Sequence, residues 1–398
     1  MTLTLEALSD TPMARRRIEL VERKGLGHPD TICDLLVEAV SQALGRMYVE
    51  RTGRILHHNI DKALLVAGQC AKGFGRGAVT RPMEFVVGDR ATLVAGGERL
   101  PVETTVREAV HAWFHAHLSR VRPGDDLVTR VALAPGSAEL ADIFGEPEAP
   151  VVSNDTCGAS GYAPLTPTET LVLDVERWLN GAEFKGRFPD TGQDVKVFAV
   201  RQDARVALTV AMPLSCLAVD SERAYFRRKE EIAAALVKRF GNTPFEIDWA
   251  VNRLDRPGRG ADGTYLTLTG TSAEDADSGQ VGRGNRANGL IAFSRPTGGE
   301  AAPGKNAVAH AGKIYSVLSH RLAALIHARC PELAEVYVHL AVRIGEPVDR
   351  PWTGVQVVLS RGIAPADFEP AIRAVVAAEL ERMPAFRAEL VRGLHPVC

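Results

Sequence analysis

Apolar side chains recur along this chain at two spacings, one typical of helices and one typical of strands. From Pro29 to Gly53 they recur every three or four residues, which predicts a long helix with proline in its first turn. Runs rich in branched apolar residues predict strands. Further helices are predicted near 104–121, 168–180, 221–240, 308–328 and 366–382, and strands near 62–69, 83–88, 126–134, 194–201, 205–212, 245–253, 264–270, 334–343 and 354–359.

The alternation of helices and strands predicts an α/β fold in three comparable sets, although no residue-level repeat is present. The chain has 398 residues, enough for two or three cores. We divide it into an N-terminal arm (1–20) and three α/β units (21–140, 141–260 and 261–398). The Gly- and Arg-rich segments 254–263 and 275–306 are too long for plain connections, so we expect them to be functional.

Charge and cysteine content exclude several classes of protein. The 47 basic and 49 acidic side chains leave a formal net charge of −2, so nothing favours a nucleic-acid or anionic-membrane partner. The first twenty residues lack the apolar core of a signal peptide, and no apolar run approaches membrane-spanning length, so we expect neither a leader nor a membrane span. None of the six cysteines forms a CxxC pair, so neither a zinc site nor a disulfide framework is indicated. We expect a reduced, cytoplasmic protein.

The first candidate site is VERKGLGHPD (21–30), directly before the long helix. His28 and Asp30 lie at the helix start, where backbone N–H groups and the helix dipole favour an anion. Asp30 is suited to a hard cation such as Mg²⁺, and His28 to hydrogen-bond donation to a leaving oxygen. The alternative is that Asp30 caps the helix and His28 is a loop residue.

Two further motifs combine polar residues with glycine. SNDTCGASGYAP (153–164) is predicted as a polar turn, in which Asp155 binds an amine or a metal or simply stabilises the turn. In GQDVKV (192–197), Asp194 and Lys196 alternate on one predicted strand and should face the same way. They are either site residues or a surface ion pair.

The densest polar region spans 269–291 and 297–306. Its glycines allow close approach to a ligand, and Arg283, Arg286 and Lys305 suit phosphate oxygens. Asp275 and Asp277 are candidate metal ligands. The alternative is a mobile surface loop. Neither GxxxxGK[ST] nor a helix-opening GxGxxG occurs, so any ATP is bound in another way.

At these residues the sequence resembles the archaeal-type methionine adenosyltransferases, or S-adenosylmethionine synthetases. The resemblance rests on long runs in the family's order, covering most of 20–320. These runs are VERKGLGHPDTICD (21–34), RILHHNIDKALLVAGQ (54–69), NDTCGASGYAPL (154–165), GQDVKV (192–197), TGTSAE (269–274), VGRGNRANGLI (281–291) and GKNAVAHAGKIY (304–315). It implies three similar α/β units around a pseudo-threefold axis, and a homodimer with active sites between the subunits.

The resemblance also implies the chemistry. The substrates are ATP and L-methionine, whose sulfur attacks C5′ of ATP. The triphosphate leaves whole and is then hydrolysed to diphosphate and phosphate. Mg²⁺ is required and K⁺ is commonly an activator. A thioether carries no proton, so no general base is needed, and cations aimed at the leaving group are the main requirement.

Residue roles follow from the matched motifs. His28 would donate to the bridging oxygen, while Lys196, Arg283 and Lys305 would clamp the triphosphate. Asp30 and Asp277 would be metal ligands, and Asp155 would recognise methionine. The remaining substrate- or ATP-binding positions implied by the motifs are Glu22, Asp61, Gln69, Gly136, Ser137 and Asp194.

The sequence departs from the family pattern at several places, and two other functions remain open. The departures are Ala134-Pro135 before Gly136-Ser137, the run Cys157–Gly161, Ser278 in place of a second acidic residue, Ile60 and Ala307. One alternative is an enzyme on the same scaffold that takes a methionine analogue or another nucleophile. The other is a non-enzymatic regulatory partner of a true synthetase, which would have little need of the intact cationic residues.

Overall fold

The computed structural model describes residues 3–144, 151–359 and 364–398. Within these ranges, no helix combines the length and apolar character needed to cross a membrane. The helices are α1 Pro29–Thr52, α2 Val102–His117, α3 Ala138–Asp142, α4 Pro167–Leu179, α5 Ala182–Arg187, α6 Glu222–Phe240, α7 Ala311–Arg329, α8 Glu369–Glu381 and α9 Met383–Val391.

The strands vary from two to ten residues. They are β1 Leu3–Leu8, β2 Ile18–Lys24, β3 His58–Val66, β4 Gln69–Gly73, β5 Arg76–Arg81, β6 Met83–Ala91, β7 Val94–Ala95, β8 Glu98–Arg99, β9 Leu127–Ala134, β10 Cys157–Ala163, β11 Lys196–Gln202, β12 Arg205–Ala211, β13 Leu214–Ser215, β14 Glu246–Val251, β15 Leu266–Thr267, β16 Gly279–Gln280, β17 Ile291–Ala292, β18 Leu333–Val342 and β19 Trp352–Leu359.

The long helix α1 confirms the prediction made from apolar spacing. It begins at Pro29 and ends before Gly53, whose φ of 75° is the left-handed conformation that favours glycine after a helix. The other predicted helices are also present, with ends shifted by a few residues. Boundaries shift because helix ends fray and apolar spacing does not define them.

Three larger sheets, each covered by helices on one face, form the α/β architecture that was predicted. Their strand orders are β16-β3-β6-β9, β14-β12-β11-β2-β17 and β1-β19-β18-β10. Each has its own apolar core: α1 and α2 cover the first sheet, α4, α5 and α6 the second, and α7, α8 and α9 the third. The opposite face of each sheet carries no helix from that core.

Strand exchange links the three layers in a cycle. β2 precedes α1 in the chain but pairs with β11 of the second sheet, and β10 precedes α4 but pairs with β18 of the third. β16 precedes α7 but pairs with β3 of the first sheet. Each unit thus lends one strand to the next, the connectivity expected for three units around a threefold axis. The axis itself stays a prediction.

Two expectations from the sequence need correction. Residues 157–163, predicted as part of a turn, form β10, in which Gly161 lies so close to α7 that a Cβ atom would be 2.1 Å from the His320 nitrogen. Residues 3–8, assigned to an arm, form β1 beside β19. The division into three units at 20, 140 and 260 stays a prediction.

Candidate functional site

One group of site residues lies on the helix-free face of the second sheet. Val21 of β2 points into the core, so its neighbours Glu22 and Lys24 point to the opposite face. Lys24 pairs in register with Lys196 of β11. Glu22 lies between the two ammonium groups, 3.7 Å from Lys24 Nζ and 3.3 Å from Lys196 Nζ. The result is a patch of alternating charge in which Lys196 is exposed and Glu22 and Lys24 are largely covered.

His28 borders this patch as the N-cap of α1. Its Nδ1 accepts a hydrogen bond from the backbone N–H of Asp30 (3.2 Å), which leaves the proton of the neutral ring on Nε2. Burial, together with the charges of Lys24 and Lys196, lowers the pKa of His28 to about 4. The negative charge of Asp30 raises it but does not outweigh them. The imidazole is therefore neutral at physiological pH, and among the described residues nothing accepts from Nε2. This corrects the alternative in which Asp30 caps the helix.

The loop after β16 packs against the start of α1. Asp30 Oδ1 accepts from the Gln280 N–H (2.9 Å), and Asp34 Oδ1 from the Gly282 N–H (2.8 Å). A Cβ atom on Gly279 would lie 2.0 Å from the Pro29 carbonyl oxygen, so only glycine allows this approach. These contacts place Arg283 at the surface, and no carboxylate in the described ranges pairs with its guanidinium. Arg283 is free to bind an anion.

A second group is centred on Lys305. This lysine is 1% exposed and donates to Asp61 Oδ2 of β3, while Glu300 lies 3.2 Å away. Burial raises the pKa of Asp61, but the charge of Lys305 and the hydrogen bonds around the carboxylate outweigh it and hold that pKa well below its usual value. Lys305, Asp61, Glu300 and Arg283 line one open cleft of about 560 Å³.

Asp155 lies beside this second group. Its carboxylate is half exposed and 3.8 Å from Nε2 of His310, the N-cap of α7. His310 repeats the arrangement of His28: its Nδ1 accepts from a backbone N–H, that of Gly312, at 3.2 Å. Burial lowers the pKa of His310 to about 3, so this ring is also neutral. The role of Asp155 in binding methionine stays a prediction.

The structure corrects the geometry predicted for Asp194. β11 begins at Lys196, and Asp194 lies in the preceding loop, fully buried. Its carboxylate accepts from the Ser272 N–H (2.8 Å) and the Tyr265 hydroxyl (3.3 Å), and burial raises its pKa to about 6. Asp277 is exposed and near enough for its charge to contribute to that shift. Asp194 and Lys196 therefore do not alternate on one strand.

The remaining predicted positions lie at the edges of these groups. Gln69 is an exposed residue at the start of β4. Gly136 packs against His57, since a Cβ atom there would be 2.5 Å from the imidazole, and Ser137 precedes α3. Asp275, considered as a metal ligand, accepts from Lys72 Nζ at 2.9 Å and lies with Cys70 and Glu274 in a group whose possible ligand atoms are within 4.8 Å of one another. Their substrate-binding roles stay predictions.

Sequence reasoning missed two functional candidates, Lys24 and His310. The signal for Lys24 was its two-residue spacing from Glu22, which places both on one face once β2 is recognised as a strand. The signal for His310 was its position at a helix start, as in HPD. Both signals depend on elements whose bounds became known only from the structure.

The comparisons with known proteins agree with this architecture. A family described as S-adenosylmethionine synthetase (AdoMet synthetase) matches residues 1–394. The chain is 42% identical over 385 residues to an S-adenosylmethionine synthase of Aeropyrum pernix, covering 95% of this chain and 94% of that one. It is 39% identical over 399 residues to one of Pyrobaculum neutrophilum, covering 98% of each. The chain belongs to the S-adenosylmethionine synthetase family.

A solved structure shares the fold of this S-adenosylmethionine synthetase family member. It is an unusual S-adenosylmethionine synthetase from Campylobacter jejuni, with a TM-score of 0.57 and 15% identity. The likeness covers 92% of this chain and 88% of the other. At that identity it supports the fold alone.

Proposed function

We propose that the protein is a methionine adenosyltransferase that converts ATP, L-methionine and water to S-adenosylmethionine, phosphate and diphosphate. The observation that carries the proposal is His28, a neutral imidazole with a free Nε2–H beside Lys196 and the carboxylate of Asp30. Such a donor suits an oxygen that gains negative charge as its bond to carbon breaks. The thioether nucleophile needs no base.

In this proposal the charged residues bind different parts of the substrates. Lys196 and Arg283 bind the triphosphate from the open sheet face and from the loop, and Lys305 acts from the cleft that it shares with Arg283. Asp155 binds the methionine amine. Asp194 and the other motif positions, Glu22, Asp61, Gln69, Gly136 and Ser137, shape the nucleotide site.

The residues present fit a divalent cation. The oxygen Asp30 Oδ2 already binds a positive group, the Lys24 ammonium at 2.9 Å. A carboxylate oxygen is also a ligand that Mg²⁺ prefers. When bound, Mg²⁺ neutralises charge on the triphosphate oxygens. Asp277, exposed at the loop, is the second proposed ligand. Activation by K⁺ and a cytoplasmic location stay predictions.

The exposed face of the second sheet supports the proposal of a homodimer. Exposed apolar residues continue the face that carries Glu22 and Lys196: Ile18 is 63%, Val200 39% and Phe293 57% exposed. The charge on the leaving triphosphate is stabilised more strongly where water is excluded. A second copy of the chain bound to this face would cover both the exposed apolar residues and the site. The proposed active sites therefore lie between subunits.

The decisive experiment uses the pure protein with ATP, L-methionine and Mg²⁺. We expect mass spectrometry to detect S-adenosylmethionine, with phosphate and diphosphate formed in equal amounts. Omitting methionine is the control. Formation of ADP or AMP without a sulfonium would refute the proposal, and turnover of a methionine analogue but not methionine would favour the related enzyme instead.

A further inference from the structure

The ammonium group of Lys24 occupies the centre of the site. Its Nζ donates to Asp30 Oδ2 at 2.9 Å and to the Arg283 carbonyl oxygen at 2.6 Å. Only 11% of the side chain is exposed. One lysine thereby joins β2, the start of α1 and the loop that carries Arg283.

This position brings Lys24 into competition with a metal ion. Mg²⁺ binds carboxylate oxygens at about 2.0–2.1 Å and requires near-octahedral geometry. Asp30 Oδ1 is already held by the Gln280 N–H, so Oδ2 is the oxygen that remains for a metal. An ammonium at 2.9 Å and a metal ion cannot share that oxygen in the same direction.

The surrounding charges show what Lys24 would bind after losing Asp30. Its strand partner Lys196 also faces the site, and Glu22 lies between the two ammonium groups, 3.7 Å from Lys24 Nζ and 3.3 Å from Lys196 Nζ. Two carboxylates, Glu22 and Asp30, balance the two ammonium groups now. Once a metal neutralises Asp30, Lys24 keeps the Arg283 carbonyl but shares the single carboxylate of Glu22 with Lys196, so the local balance becomes positive. A largely buried ammonium without a full counter-charge is costly. A polyphosphate oxygen supplies the missing negative charge.

We propose that Lys24 exchanges partners: it holds the metal-binding oxygen of Asp30 in the empty site and passes to a phosphate oxygen when metal and polyphosphate enter. The inference rests on the proposed function for the identity of the anion. Lys24 is then a fourth cation of the phosphate site.

A purely structural role is the competing explanation, and the chain offers a matched control. Lys229 makes the same two kinds of contact outside the site, to Asp255 Oδ2 at 2.8 Å and to the Asn252 carbonyl oxygen at 2.9 Å. Lys229→Met removes an equivalent pair of hydrogen bonds. A change in affinity seen in both variants reflects the loss of structural hydrogen bonds. A change seen only in the Lys24 variant reflects the binding site.

The test is calorimetry on the full chain with two probes, Mg²⁺ alone and tripolyphosphate with saturating Mg²⁺. In Lys24→Met we expect Mg²⁺ alone to bind about tenfold tighter and tripolyphosphate about tenfold to a hundredfold weaker, the range for one charged hydrogen bond. Lys24→Arg should largely restore tripolyphosphate affinity. Lys229→Met should change neither affinity. If Lys24→Met fails to fold, Lys24→Gln keeps a donor for the Arg283 carbonyl.

Unchanged affinities in the Lys24 variants, or weaker Mg²⁺ binding with normal tripolyphosphate binding, would overturn the exchange. Failure of the proposed function is separately visible. If the Lys24 variants show the expected affinity changes but the wild-type protein forms no sulfonium, the enzyme assignment alone is refuted. Wild-type protein that forms sulfonium while the variants keep both affinities would refute the exchange alone.

Discussion

The chemical state of His28 depends on its place at a helix start. The N–H of Asp30 fixes the ring so that Nε2 carries the proton, and burial keeps the ring uncharged. A neutral donor adds no charge that would compete with the cations for the triphosphate. Its hydrogen bond strengthens mainly as the bridging oxygen becomes negative, so it acts on the transition state.

We therefore expect His28→Ala to slow sulfonium formation about 10²–10³-fold, the usual cost of losing one such donor. Single-turnover kinetics with saturating ATP measure the step directly. His28→Asn is the control, because asparagine keeps the helix cap and should preserve stability. A normal rate of sulfonium formation in His28→Ala would remove His28 from the reaction.

A second buried histidine allows a test of pH dependence. His58 lies between Ser41 and the Leu56 carbonyl, and burial lowers its pKa from 6.5 to about 4. The unfolded chain thus binds the proton more tightly than the folded one. Stability due to the neutral ring is complete above about pH 6.5 and is lost as pH falls towards 4, by about 3 kcal/mol.

The measurement is urea unfolding of wild type and His58→Gln at several pH values. Glutamine can hydrogen-bond both neighbours but does not titrate. The free energy of unfolding of wild type relative to the variant should fall as pH decreases below about 6.5. A difference that is constant with pH would show that His58 is not held neutral by the fold.

Among the helices and strands, those whose signals lie close together in the sequence were predicted correctly. Helix α1 was predictable because its apolar spacing and its proline lie within the helix and Gly53 directly follows it. Strands β1, β2 and β10 were missed because their partners lie far away in sequence and their patterns are short. The site residues were predicted from motifs, but the approach of Lys24 to Asp30 required β2 to be in place.

The contact between strand β16 at Gly279 and the start of helix α1 can be tested by adding one methyl group. Gly279→Ala would put Cβ against the Pro29 carbonyl, so we expect the free energy of unfolding to fall by about 1–3 kcal/mol. Gly299→Ala, in the same long segment with no atom within 4 Å, should stay within about 0.5 kcal/mol of wild type. Equal effects in urea unfolding would contradict this packing.

At the scale of the whole molecule, the open sheet face predicts the oligomer. Val200→Glu places a charge on β11, on the face that also carries the exposed apolar residues Ile18 and Phe293, so it should yield monomers with little activity. Val237→Glu is the matched control, an exposed valine on helix α6, and should leave the dimer intact. Sedimentation velocity distinguishes the two. A dimer that survives Val200→Glu unchanged would place the interface elsewhere.

The central claim is that sulfur attacks C5′ of ATP at this site, and an isotope label follows the broken bond. ATP is prepared with oxygen-18 at the bridge between C5′ and the α-phosphorus, and turned over with methionine and Mg²⁺. The account predicts an unlabelled sulfonium and all the label in the diphosphate and phosphate, because the C5′–O bond breaks. Label retained in an adenosine-containing product would show cleavage at phosphorus and contradict the account.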